Sequence, residues 1–195
     1  MEKERALTLF RESGALLEGH FQLTSGLHSS QYFQCAKVLQ YPESCQELCA
    51  EIARRFRDSY IQVVIAPALG GIIVGQEVGR QLGARTLFTE RKDGAMQLRR
   101  GFEIRPGERV LVCEDVVTTG GSVEEVITIA KSLGGKLAGV ASIVDRSGGK
   151  VHFTVDEGGV QFAVLTMDVV TYKPESCPLC EKGQPVVKPG SRPNR

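Results

Sequence analysis

The chain has 195 residues, of which 42% are hydrophobic and 24% charged, and its formal net charge is +1. That is enough for one domain with a real core, and so even a charge balance gives no electrostatic case for bulk nucleic-acid or membrane binding. No stretch approaches the ~20 apolar residues of a membrane helix. The charged start MEKERALTLF reads as an amphipathic helix rather than a signal peptide, so a cytoplasmic protein is expected.

In chain order, a helix is expected over about 2–17, then an irregular segment containing Gly19, Thr24, Ser25 and Gly26. A second helix is expected from Ser44, with a capping box closed by Glu47. Strands follow at 61–66, 84–89, 109–116, 138–144 and 162–167, with helices at 72–82 and 122–133 between them. This alternation predicts an α/β fold with a mainly parallel central sheet flanked by helices. From Lys173 the chain holds five of its eight prolines, so 173–195 is expected to be an extended tail behind a single domain at 1–172. No internal repeat is present.

The run from Val110 to Ser122, VLVCEDVVTTGGS, carries the most chemistry. Val110 to Cys113 suit a strand covered on both faces. Val123, Val126, Ile127 and Ala130 have helical spacing, Ser122 with Glu125 has the form of a capping box, and Gly134-Gly135 supplies the stop. Between strand and helix, Gly120 and Gly121 let backbone amides approach a ligand. A helix N-terminus there favours an anion, and Thr118 and Thr119 add hydroxyl donors. Glu114 and Asp115 would repel a bare phosphate, but carboxylates accept hydrogen bonds from vicinal hydroxyls. A phosphate-bearing sugar accounts for both halves of the run.

Two further segments are candidates. PALGG at 67–71, after the strand QVVIA, is a second glycine-rich strand-to-helix turn able to meet another phosphate. Residues 90–105 are unusually polar and hold Arg91, Lys92, Arg99, Arg100 and Arg105. The choice there lies between a solvated charged hairpin and a functional loop whose cations neutralise a leaving group.

Glu114 to Ser122 resembles the phosphoribosyl diphosphate signature of type I phosphoribosyltransferases: two acids, apolar residues, Thr, a small residue, then glycine. Other segments match the orotate phosphoribosyltransferases within that family, in order along nearly the whole chain. FQLTSGLHSSQYFQ at 21–34 resembles their N-terminal base-covering segment, which implies a small hood over about 1–40, with Tyr32 and Phe33 as the aromatic pair at the base. Arg91-Lys92 matches the pair that opens a catalytic loop, and Asp145-Arg146 matches the strand end that holds the base. The family's further Lys and His are absent from the loop.

The resemblance implies transfer of a phosphoribosyl group from 5-phospho-α-D-ribosyl 1-diphosphate to orotate, giving orotidine 5′-monophosphate and diphosphate. It implies that Glu114, Asp115, Val116, Val117, Thr118, Thr119, Gly120, Gly121 and Ser122 bind the phosphoribosyl diphosphate together with Arg91 and Lys92. Those two cations would also be catalytic, while Thr118, Arg146, Tyr32 and Phe33 would bind orotate. It further implies Mg2+ held mainly by substrate, with Asp115 acting through water and no direct protein ligand. A homodimer is implied too, with residues 90–103 acting across the interface. His28 falls where many relatives have a diphosphate-binding Lys, and a surface histidine is the alternative. At position 70, where relatives often carry Lys, this chain has glycine, so contact there would fall to backbone amides.

Other readings stay open. The base could be a purine or uracil, or the chain could be a regulator that binds RNA through 91–105, although its neutral charge speaks against that. Among the six cysteines, Cys45 and Cys49 fall on an apolar helix face with Leu48, Ile52, Ala53 and Phe56, which favours core packing. Cys113 falls in the buried strand and Cys35 near the base site. Cys177 and Cys180 form a CPLC, two ligands where zinc usually takes four, and Cys45 with Cys49 would complete a set.

Overall fold

The computed structural model describes residues 1–23 and 25–189; Thr24 and residues 190–195, the end of the expected tail, lie outside the described residues. The chain opens with helix α1 (Lys3–Glu12), a hairpin of β1 (Leu16–Gln22) and β2 (His28–Phe33), and helices α2 (Cys35–Leu39) and α3 (Pro42–Phe56). It continues through β3 (Val63–Pro67), α4 (Gly70–Leu82), β4 (Arg85–Lys92), β5 (Ala95–Leu98), β6 (Arg109–Val117), α5 (Gly121–Ser132), β7 (Lys136–Asp145) and β8 (Val160–Thr166). It closes with the short strand β9 (Thr171–Tyr172) and a one-turn helix, α6 (Pro178–Glu181).

The main sheet has the order β5-β4-β3-β6-β7-β8, parallel except for β5. Val110 and Val112 face one apolar cluster with Val126 and Ala130 of α5. Leu111 and Cys113 face another, with Leu48, Ile52 and Phe56 of α3 and Val74 and Val78 of α4. Both faces are covered, which is why these strands read as continuous apolar runs. From β3 the chain steps one way to β4 and then crosses back to β6 on the other side. The carboxyl ends of β3 and β6 therefore flank a topological switch point, where ligands bind in open α/β sheets.

The five expected strands and the helices at 72–82 and 122–133 are present within a few residues of the expected bounds. The first helix is shorter. Ser13 Oγ donates to the carbonyls of Leu9 and Phe10, and Gly14 turns at φ +64°. That turn ends the helix and sends Leu16 and Leu17 into β1. Neither capping box forms. Pro42 opens α3 two residues before Ser44, and Glu47 pairs with Arg5 instead. Gly120 takes the N-cap of α5 at φ +80°, and Glu125 pairs with Arg91.

The irregular N-terminal stretch is instead ordered into a second sheet, β1-β2-β9, antiparallel throughout. Nor is the stretch from Lys173 an extended tail over its described part. It makes a 3-10 turn at Pro174–Ser176, then α6, and returns to β1 through Gln22 N–H to Val187 O and Val187 N–H to His20 O, both 2.8 Å.

Candidate active site

Alternation along β6 turns Glu114 inward, at 8% exposure, and leaves Asp115 half-buried at the strand end. Glu114 Oε1 accepts the Asp115 N–H at 3.0 Å. Burial, reinforced by the neighbouring Asp115 charge, holds the Glu114 carboxyl well above the ordinary carboxylate range. Against this pair lies the PALGG turn at the end of β3. Its Ala68 N–H donates to Thr89 O at 2.8 Å, and its Ala68–Leu69 peptide is cis. A Cβ on Gly71 would lie 3.0 Å from Glu114 Oε1, and one on Gly70 would overlap the Asp115 carboxylate. The two glycines are what let the acidic pair and the turn share the switch point. A side chain at position 70 would require the Asp115 carboxylate to move, whereas glycine offers its backbone amide there.

Beyond Val117 the chain turns into α5 through exposed Thr118 and Thr119 and buried Gly120. A side chain at Gly120 would come within 2.8 Å of Val151 and 2.9 Å of Phe153, on a backbone at φ +80°. This tight turn leaves the first amides of α5, at Gly121, Ser122 and Val123, outside the helix's own bonding pattern, and Glu124 N–H makes the first return bond, to Gly120 O. The result is a cradle of amides and hydroxyls suited to an anion.

Arg146 approaches from the end of β7. Its N–H donates to Val117 O at 2.8 Å, extending the β6–β7 pairing by one residue. The preceding Asp145 is buried and accepts the Ser147 and Gly149 amides at 2.8 and 3.0 Å, which shapes the loop after the strand. The Arg146 guanidinium lies 5.8 Å from the Tyr32 ring centroid, and burial lowers its pKa from the ordinary arginine value. Its Nε is buried without a hydrogen-bond partner among the described residues. A desolvated donor is costly to leave unpaired, so it points to an acceptor that arrives from outside. Cys35 closes the group, 3.8 Å from Asp115 O, with its thiol pushed well up by burial and by Asp115 and Glu114.

Phe33 does not share that face. Alternation along β2 sends it away from Tyr32, and its ring packs edge-on to Phe10 at 5.6 Å, 3% exposed in the core. Tyr32 alone reaches Arg146. His28 is neither a surface residue nor turned toward the switch point; it is 5% exposed, with Nδ1 2.9 Å from His20 Nε2. Thr89, whose buried hydroxyl lacks a partner among the described residues, lies beside the PALGG turn. In the sequence Thr89 is only a lone hydroxyl at the end of an expected strand, a signal too weak to mark it as a site residue.

Residues 90–105 are not one irregular loop. β4 continues through Lys92 and returns as β5, with Thr89 opposite Leu98 and Lys92 opposite Ala95. Asp93 and Gly94, at φ +53° and +84°, make the tight two-residue turn such hairpins favour. Arg91 donates to Glu125 Oε1 at 2.6 Å and to Gly94 O at 2.9 Å. Arg99 and Arg100 pair with Glu90 at 3.2 and 3.0 Å. Lys92 is exposed and has no ion pair among the described residues. Alternation therefore divides the Arg-Lys pair, one cation held by α5 and the other presented to solvent.

The family model for the phosphoribosyl transferase domain matches residues 37–154. An orotate phosphoribosyltransferase of Chlorobaculum parvum is 60% identical over 194 residues, covering 100% of this chain and 98% of that one. The chain belongs to the orotate phosphoribosyltransferases. Among solved structures, the orotate phosphoribosyltransferase of Aeropyrum pernix superposes with a TM-score of 0.67 at 25% identity, over 82% of this chain and 92% of that one. An adenine phosphoribosyltransferase of Rhodothermus marinus gives 0.68 at 20% identity, over 84% and 99%. The fold is thus common to enzymes named for different bases. Assignment to the orotate phosphoribosyltransferases rests on the full-length sequence relationship.

Proposed function

We propose that this protein transfers the 5-phosphoribosyl group of 5-phospho-α-D-ribosyl 1-diphosphate to a ring nitrogen of orotate, releasing diphosphate. The observation that carries the reading is the meeting, at the carboxyl ends of β3, β6 and β7, of the PALGG turn, the Glu114–Asp115 pair and Arg146 with its unpartnered Nε. The bond from the anomeric carbon to diphosphate breaks as the bond to nitrogen forms, and positive charge grows on the sugar. Glu114 and Asp115 hold the ribose hydroxyls and lie near that charge. The amides of Gly121 and Ser122, with Thr118 and Thr119, hold the 5′-phosphate, and Val116 and Val117 place them. The amides of Gly70 and Gly71 meet the diphosphate.

Orotate brings a carboxylate and ring carbonyls, acceptors suited to the planar fork of Arg146, with Tyr32 beside it and Thr118 at its edge. The small sheet formed by β1, β2 and β9 is the hood over the base, residues 1–40 supplying most of it. Lys92 balances charge on the departing diphosphate, and in a homodimer the β4–β5 hairpin, at the sheet edge, delivers it to the partner's site. The oxygen donors of Asp115 and the hydroxyl-bearing loop suit a hard cation such as Mg2+, which would be held mainly by substrate with Asp115 acting through water. When bound it supplies charge neutralisation at the diphosphate. An RNA-binding role finds little support, because Arg91, Arg99 and Arg100 are already paired with Glu125 and Glu90. No helix among the described residues is long and apolar enough to cross a membrane. None of the six cysteines forms a disulfide, in keeping with a reducing compartment.

The test is loss of orotate absorbance on mixing protein, phosphoribosyl diphosphate and Mg2+, with adenine and uracil as competing bases. Turnover with orotate and with neither alternative is expected. Turnover with adenine or uracil but not orotate would keep the phosphoribosyl site and overturn the base assignment.

A further inference from the structure

His20 on β1, His28 on β2 and the two cysteines of the CPLC segment converge on one point. His20 Nε2, His28 Nδ1, Cys177 Sγ and Cys180 Sγ all lie within 4.8 Å of one another. His20 Nε2 is 2.9 Å from His28 Nδ1, 3.5 Å from Cys177 Sγ and 3.7 Å from Cys180 Sγ, and Cys180 Sγ is 3.3 Å from His28 Nδ1. We propose that these four residues form a structural zinc site that clamps the C-terminal segment onto the small N-terminal sheet.

The geometry suits that ion. Zinc in structural sites is tetrahedral, with bonds of about 2.0–2.1 Å to nitrogen and 2.3 Å to sulfur, which separates neighbouring ligand atoms by roughly 3.3–3.8 Å. Three of the contacts, at 3.3, 3.5 and 3.7 Å, fall in that range, the His20–His28 pair at 2.9 Å is closer, and the other pairs lie within 4.8 Å, so modest side-chain adjustments close the tetrahedron. The donor set of two thiolates and two imidazoles is selective for zinc over the hard cations, and four protein ligands leave no open position for catalysis. The orientation of His20 is already fixed. Its Nδ1 lies 2.8 Å from Gln184 O, a group that only accepts, so Nδ1 carries the proton and Nε2 turns a lone pair to the cluster. Both thiols lose their protons to solvent as the ion binds, which leaves the filled site neutral.

The surroundings give the site a task. From Lys173 to Pro189 the only buried residue is Cys177, so the segment has almost no core of its own. Its contacts with β1 include the two backbone bonds around Val187 and the bond between His20 Nδ1 and Gln184 O. A segment this exposed gains too little from apolar burial to stay ordered, and a metal supplies what packing does not. The clamp also reaches the site of the reaction, because β2 runs from the ligand His28 to Tyr32 beside Arg146. All four ligands lie outside residues 37–154, so the site is no part of the matched phosphoribosyl transferase domain. Cys45 and Cys49 are not involved; they lie 4.0 Å apart on α3, buried under α4.

The test is the zinc content of the full-length protein purified from zinc-supplemented medium without chelator. One zinc per chain is expected, falling to near zero in Cys177→Ser/Cys180→Ser and unchanged in Cys45→Ala/Cys49→Ala. Since loss of the clamp can impair folding, cobalt substitution of the wild-type chain provides a second reading. Intense visible bands of tetrahedral cobalt and a thiolate charge-transfer band are expected, with the latter weakened in Cys180→Ser. The proposal is overturned by wild-type protein without zinc, by zinc retained in the Cys177/Cys180 variant, or by a Cys177–Cys180 disulfide in place of bound metal.

Discussion

The carboxyl edge of the main sheet and the corner where the small sheet meets the C-terminal segment reach order by opposite routes. At the sheet edge, Glu114 and Arg146 are held by an apolar core that covers both faces of β6 and β7, so burial fixes polar groups at the topological switch point. That arrangement costs stability: a carboxyl is forced toward its neutral form and a guanidinium nitrogen is left without a partner. At the corner the balance reverses. Little apolar surface is buried, and four metal-ligating side chains gather where packing is thin. A site assembled by a core stays formed when empty, whereas one assembled by a ligand depends on it.

Substitutions can break this contrast, the largest effect first. Lys92→Ala is expected to lower kcat by roughly 10²–10³, the usual cost of losing one donor aimed at developing charge. Near-normal single-turnover rates would remove Lys92 from the mechanism. Stripping zinc from the wild-type protein should lower Tm by roughly 5–10 °C, the scale of two to three kcal/mol in a chain of this size. The same treatment should raise KM for orotate more than KM for phosphoribosyl diphosphate, because only the small sheet loosens. Equal increases in both would show that the main sheet depends on the clamp as well.

Glu114→Gln probes the cost at the sheet edge. A carboxyl whose pKa is raised by folding contributes stability that is fully present below its unfolded pKa and is lost as pH rises through the folded value. The variant should therefore exceed wild type in urea-denaturation stability at neutral and alkaline pH, with the gap closing toward low pH. A wild-type protein that gains on the variant as pH rises would reverse the sign. The smallest effect is expected for Glu125→Gln, which breaks an exposed ion pair with Arg91 worth at most about 1 kcal/mol. A thermal melt showing a much larger loss would mean that the hairpin is anchored through that contact.

The same contrast governs how much the sequence revealed. Strands β3, β6 and β7 announce themselves as apolar runs, and the β6–α5 turn as glycines after two acids, because each signal is local. Register and facing are not local. That Tyr32 and Phe33 part company depends on β2 pairing with β1, and the residues from Leu16 onward join a strand only because Gly14 ends the helix. The cluster of His20, His28, Cys177 and Cys180 is the extreme case. His20 and Cys177 are 157 positions apart, and only the return of the chain along β9 and across β1 brings them together. Cys45 and Cys49, closer to a readable pattern, turned out to be core. The CPLC spacing marked Cys177 and Cys180 as a candidate pair, and nothing local in the sequence links them to His20 and His28.

The proposed receptor of the base is Arg146, whose buried Nε has no hydrogen-bond partner among the described residues. Steady-state kinetics of Arg146→Ala with each substrate varied in turn decides whether it does so. Loss of a charged hydrogen-bond donor should raise KM for orotate by about 10–100-fold while KM for phosphoribosyl diphosphate stays within about twofold. A variant that keeps its affinity for orotate, or loses both substrates equally, would remove Arg146 from the base site.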